Sequence, residues 1–232
     1  MYKLIYSQLT HQGLVRTNNE DAMMIGDPGD PALREKKGIL FAVADGLGGL
    51  PHGEVASGAA LVELHILFKK LNEFQDPLWL REAFRSVNKK IYDMNRQVTV
   101  AEWMGTTLTA SVFFKDNLTI GHVGDSRMYQ IRGGKILKLT TDHSIDRYTL
   151  TRVVGTDVDV KVDIYKKEIY AQDIYVQCSD GLYGMMSDEE IAAVAAKYSP
   201  EESCKRLVDL ANKKGGADNI TVQVIRVEEQ TE

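Results

Sequence analysis

Aspartates stand at the ends of apolar runs in this chain, and that pattern limits the folds open to it. The run from Ile39 to Ala44 ends on Asp45, Leu118 to Val123 reaches Asp125 after one glycine, and Ile174 to Cys178 reaches Asp180 after one serine. A fourth aspartate, Asp218, lies just before the apolar-rich stretch Ile220 to Val227. Asp45 and Asp180 are each followed by glycine. Such a residue is usually a turn former. Carboxylates gathered from several strand ends do more: they make an all-oxygen pocket suited to hard divalent cations such as Mg²⁺ or Mn²⁺. The requirement is a fold that brings those ends to one place.

The rest of the pattern describes an antiparallel α+β chain. Lys3 to Leu9 and Ala22 to Ile25 read as strands. Asp27-Pro28-Gly29-Asp30-Pro31 predicts an exposed turn joining two strands, with 27–37 read as a solvated linker in preference to a docking site. Helical spacing runs through Glu54 to Leu71, and a second helix is expected from Pro77 to about Val98. Short strands follow at Thr107 to Phe114, Leu118 to Val123, Met128 to Arg132 and Ile136 to Leu139, with Asp116-Asn117 and Gly133-Gly134 as hairpin turns. Lys161 to Ile169 and Ile174 to Cys178 add two more. Ser187 with Glu190 forms a capping box, a further helix follows Ser199-Pro200 to Lys213, and Ile220 to Val227 closes as a strand. This order is not βαβ alternation. It predicts antiparallel sheets with helices packed outside them, in one domain covering residues 1–232, with a frayed tail from Glu228 to Glu232.

Charge and composition narrow the function classes. With 44% hydrophobic residues a sizeable core is expected, and a net charge of −5 argues against nucleic acid or an anionic membrane as the main partner. Cys178 and Cys204 read as buried thiols rather than a disulfide. No run approaches the length of a membrane span, so a soluble cytoplasmic protein is the expectation.

Seven segments in order resemble bacterial metal-dependent type 2C (PPM) serine/threonine protein phosphatases. They are Gly13 to Asp21 (GLVRTNNED), Ala44 to Gly49 with Gly53 to Ser57, Met104-Gly105-Thr106-Thr107, Gly124-Asp125-Ser126-Arg127, Leu139 to Ser144, Ser179-Asp180-Gly181-Leu182, and Ala217 to Thr221. The resemblance implies a four-layer αββα sandwich. It also implies two Mn²⁺ or Mg²⁺ ions with a metal-bridging hydroxide as nucleophile. Asp45 would bridge the ions, the Gly46 carbonyl would join one, and Asp180 and Asp218 would complete the other. Arg16 would hold the phosphoryl oxygens, Glu20 and Asp21 would act through metal-bound waters, and Asp125 would belong to a weaker third metal site. The substrate would be a phosphorylated protein in a serine/threonine kinase pathway, and a monomer is expected. His143 and His52 read as structural beside this set.

The chain departs from the family pattern in three places. The segment between Asp142-His143-Ser144 and Leu150-Thr151-Arg152 is short, which implies a missing flap subdomain and a more open cleft. Leu47 stands where a proton-donating His occurs in animal relatives, so a metal-bound water would protonate the leaving group. Gly184 stands where many relatives carry another acidic ligand for the third ion. Two rival functions share the residues: a pseudophosphatase that binds without turnover, and a small-molecule phosphatase. The intact set of Asp45, Asp180, Asp218 and Arg16 argues against the first. Relative turnover of sugar phosphates and phosphopeptides discriminates the second.

Overall fold

The computed structural model describes residues 2–47, 50, 52–74, 78–146 and 149–229. Pro77, expected to open the second helix, and Gly48 and Gly49 of the Asp45 motif lie outside these residues, as does the tail beyond Glu229. Glu228 and Glu229, expected to be frayed, are instead held in the last described strand, paired with Lys3 and Tyr2.

Among the described residues, ten strands form two five-stranded antiparallel sheets. The first sheet contains β1 (Tyr2–His11), β10 (Ile220–Glu229), β9 (Ile174–Cys178), β6 (Arg127–Arg132) and β7 (Lys135–Lys138), in that spatial order. The second contains β2 (Asp21–Gly26), β3 (Ile39–Asp45), β4 (Leu108–Phe114), β5 (Asn117–Val123) and β8 (Asp163–Glu168). Helices α2 (Gly53–Lys70) and α3 (Leu78–Asn95) cover the outer face of the second sheet, and α5 (Asp188–Lys197) and α6 (Pro200–Lys213) cover that of the first. The result is the expected four-layer αββα sandwich. β3, β4 and β5 are buried along nearly their whole length because both faces are covered, so they read as continuous apolar runs.

The space between the sheets has two halves. Toward one end it is apolar, filled by Phe41, Phe113, Ile120, Tyr175 and Ile225. Toward the other it is hydrogen-bonded. Ser111 Oγ donates to Gln177 Oε1 (2.9 Å), Gln177 Nε2 to the Thr109 carbonyl (2.9 Å), and Gln223 Nε2 to the Met24 carbonyl (2.9 Å). A buried polar group is costly unless paired, so these bonds fix how the two sheets align.

Three local expectations are corrected. Residues 27–37 are not only a loop: α1 (Pro31–Lys37) forms there, capped by Asp30, whose side chain accepts the Leu33 N–H at 3.0 Å. It buries none of its residues, which explains its weak periodic signal. The β4–β5 turn is Lys115-Asp116 rather than Asp116-Asn117, because Phe114 pairs with Asn117 and Lys115 takes the positive φ of 52°. Finally, α3 ends at Asn95, whose side chain turns inward to bond the carbonyls of Met104 and Gly155. Gly133-Gly134 is the β6–β7 turn as expected, with φ of 56° and 77°. Cys178 and Cys204 are free and buried. β7 and β8 are joined by residues 139–162, which contain no helix or extended strand among the described residues. No helix among the described residues is long and apolar enough to cross a membrane.

Candidate metal centre

Antiparallel pairing places the predicted aspartates at one end of both sheets. Asp21 begins β2 and Asp45 ends β3, and the two are paired across the ladder. Asp180 follows the end of β9 and opens the one-turn helix α4 (Asp180–Tyr183). Asp218 precedes the start of β10, which runs antiparallel to β9. Asp125 follows the end of β5 and is 8% exposed.

The backbone around Asp45 is held from the next strand. Thr107 donates its N–H to the Asp45 carbonyl (2.8 Å), Thr106 Oγ1 donates to the same oxygen (2.9 Å), and Asp45 N–H donates to Thr107 Oγ1 (3.0 Å). Gly46 is required where it stands. A Cβ there would lie 2.3 Å from the Gly53 carbonyl oxygen and 2.7 Å from that of Glu20. The Glu20 carbonyl accepts the Gly46 N–H (3.1 Å) and the Ser57 hydroxyl (2.6 Å), which ties the Glu20 loop to β3 and α2.

Residues without an assigned role in the sequence reading join the two sheets here. Ser179 Oγ donates to Asp21 Oδ2 (2.7 Å) and accepts the Thr221 N–H (3.0 Å). The Asn219 side chain accepts the Glu20 N–H and donates to the carbonyls of Gln12 and Asn18, each at 2.8 Å. Asn219 thereby clamps the Arg16 loop onto the Asp218 turn. Its signal in the sequence was only its place beside Asp218. The fit leaves no room at Gly181, where a Cβ would lie 1.9 Å from the Asn219 carbonyl oxygen.

Arg16 is brought to the group directly. Its Nη2 lies 2.7 Å from Asp218 Oδ2, and the negative charges of Glu20 and Asp180 add to the field that favours its cation. His143 acts at a distance from the cluster. Its Nδ1 accepts the Gly124 N–H (3.1 Å), and its Nε2 lies 3.1 Å from Asp163 Oδ2 and 2.9 Å from Arg152 Nη1, so it holds the Asp125 turn from behind. His52 precedes α2 in a left-handed conformation and makes no side-chain cap.

Electrostatics mark the cluster as one that wants a cation. Burial raises Asp45 well above the ordinary carboxylate range, and Asp21, Asp180, Asp125 and Asp218 all push it further. Burial, aided by Asp218, pushes Asp21 up to about 6 against the Ser179 hydrogen bond. Burial also raises Glu20, with Glu54 adding to it. Asp21 Oδ1 is buried without a hydrogen-bond partner among the described residues. The donors are all oxygens, as Mg²⁺ and Mn²⁺ require. Among the described residues no three His, Cys, Asp or Glu side chains converge closely enough to hold an ion by themselves. Ions here would draw most of their shell from water, which suits Mg²⁺.

Residues 7–161 match the family described as Protein phosphatase 2C. A putative protein phosphatase 2C-type of Streptococcus pyogenes is 31% identical over 247 residues, covering 95% of this chain and 96% of its own. The serine/threonine protein phosphatase PstP of Mycobacterium tuberculosis is 34% identical over 97% of this chain, which spans 45% of PstP's length. The crystal structure of the PstP catalytic domain in complex with two manganese ions superimposes with a TM-score of 0.84 at 32% identity, covering 99% of this chain and 100% of that one. The chain belongs to the protein phosphatase 2C family.

Proposed function

We propose that this protein is a metal-dependent serine/threonine protein phosphatase, built as a single domain. The observation that carries the reading is that Asp45, Asp180 and Asp218 lie at one end of the sandwich, the latter two adding to the burial that raises Asp45, with Arg16 on Asp218. Asp45 and the Gly46 carbonyl would hold one ion, and Asp45, Asp180 and Asp218 the other. Glu20 and Asp21 would act through waters, and Asp125 would serve a weaker third position. When bound, two such cations make water a nucleophile near neutral pH and offset charge on the phosphoryl oxygens.

The chain's own residues do the positioning. Arg16 offers a planar fork to two phosphoryl oxygens, a geometry that lysine lacks. Thr106 and Thr107 fix the Asp45 backbone, and Asn219 fixes the loop that carries Arg16. Leu47 has no proton to give, so the leaving serine or threonine oxygen takes its proton from water.

The substrates would be phosphoproteins of a serine/threonine kinase pathway, met in the cytoplasm by a monomeric enzyme. Both PstP and the streptococcal relative are named as protein phosphatases, which supports this substrate class. The test is hydrolysis of a phosphothreonine peptide with Mn²⁺, with EDTA, and with Asp180→Asn. Turnover should require Mn²⁺ and fall by at least about 100-fold in the variant, since even residues behind metal ligands are worth 10–100-fold. Folded wild-type protein that binds Mn²⁺ without any turnover would replace the enzyme with a binding module.

A further inference from the structure

A groove of about 870 Å³ opens at the end of the sandwich remote from the aspartates. One wall is β1, and it contributes five consecutive residues, Tyr2 to Tyr6. Neighbours along a strand point to opposite faces, and only a strand's edge can present both sets to one space. β1 is the terminal strand of its sheet: all ten of its residues pair with β10 and, among the described residues, no strand lies on its other side. Backbone N–H and C=O groups on that side are open to a further strand. The floor is apolar, made by Ile39, Phe113 and Ile169, each less than 8% exposed.

The rim is basic on a chain whose net charge is −5. Lys3, Arg34, Lys36 and Lys115 line it, against a single carboxylate, Glu35. Arg34 is engaged by Asp27 at 2.7 Å. Lys3 and Lys36 form no ion pair among the described residues, although Glu228 stands across the ladder from Lys3. Helix α1, which supplies Pro31, Arg34, Glu35 and Lys36 to the rim, buries no residue of its own.

We infer that this groove docks an extended, acidic segment of a partner protein, added to β1 as a sixth strand with alternate apolar side chains on the floor. Main-chain pairing would supply affinity, the apolar floor would read every second side chain, and the lysines would select acidic residues between them. β1 spans roughly 30 Å at about 3.3 Å per residue, so the groove is far from the aspartates and its occupancy does not compete with a small substrate there. The inference stands independently of the phosphatase reading.

The probe is a fluorescein-labelled octapeptide of alternating glutamate and valine, titrated into the full chain by fluorescence anisotropy. Binding should saturate, slow amide hydrogen exchange at residues 2–6, and weaken roughly tenfold or more in Lys3→Glu/Lys36→Glu. Lys3→Gln/Lys36→Gln, a milder change, should lie between. Turnover of para-nitrophenyl phosphate should match wild type in both variants, which reports that the fold is intact. The idea is overturned by no binding up to about 1 mM peptide. Equal binding of a glutamine–valine peptide, equal binding of a block isomer with four glutamates before four valines, or protection elsewhere would overturn it too. Absence of phosphatase turnover in the wild type would leave the binding result standing.

Discussion

Arg16 and Asp218 share a contact at 2.7 Å, with both side chains partly exposed. In the proposed reaction each has another partner as well, a phosphoryl group for Arg16 and an ion for Asp218. Arg16→Ala should therefore raise KM more than it lowers kcat, costing about 1.5–3 kcal/mol of transition-state binding for each fork bond lost. Arg16→Lys should recover only part of this, because a single ammonium cannot span two oxygens. Unchanged steady-state constants in Arg16→Ala would remove it from the site. Asn219 makes a second case at this scale. It is 5% exposed and satisfies three backbone groups from the loop of residues 12–20. Asn219→Ala should cost about 1 kcal/mol in urea unfolding and lower kcat/KM, since bonds to three partly buried backbone groups are lost. The aspartates were legible in the sequence because strand ends and glycines flagged them. Asn219 and Ser179 were not, because their value lies in partners some 160–200 positions away, which no local pattern reports.

The elements show the same division between local and distant causes. Strands with both faces covered were plain as apolar runs, and the α5 capping box was readable from Ser187 and Glu190 alone. Ser187→Ala should lower stability by about 1 kcal/mol and leave metal-dependent turnover untouched, because α5 packs on the outer face of a sheet. Thermal unfolding beside an activity assay checks both halves of that statement. Helix α1 was missed because it has no apolar stripe to follow, and the β4–β5 turn slipped by one residue because Lys115 is an unusual host for positive φ. Thr109, Ser111, Gln177 and Gln223 sit in buried strands and carry the polar contacts between sheets or from neighbouring turns. Polar residues inside apolar runs were the available sign that the inter-sheet layer is not apolar throughout.

For the whole molecule, the crowded carboxylates and the buried histidine set opposite responses to solution conditions. Under the proposed function Mn²⁺ would bind only the folded arrangement, so a concentration 100 times its Kd should stabilise the protein by about 2.7 kcal/mol relative to EDTA. A melting temperature indifferent to Mn²⁺ would count against a metal centre. His122 is fully buried, bonded to Thr109 Oγ1 and the Thr141 carbonyl. Burial, with the neighbouring His143, lowers it to about 4. The unfolded chain then takes up a proton between about pH 6.5 and 4 that the folded chain refuses, so this group costs stability as pH falls through that window. The slope is up to about 1.4 kcal/mol per pH unit. His122→Gln should flatten this limb relative to wild type in urea titrations at pH 6.5 and 4.5, and parallel losses in the two proteins would refute the assignment. The αββα layering was legible from element order together with the resemblance. The splitting of the inter-sheet space and the groove along β1 were not, because they arise from how two sheets diverge.

The pairing of β1 with β10 has a consequence for synthesis. The first strand waits for the last before its sheet closes, and Arg16 meets Asp218 only after some 200 further residues have been made. A ribosome-bound chain that has passed Asp180 but not yet reached Asp218 holds most of the proposed ligands and no complete centre. The proposed activity therefore waits until β10 has been made and has paired with β1.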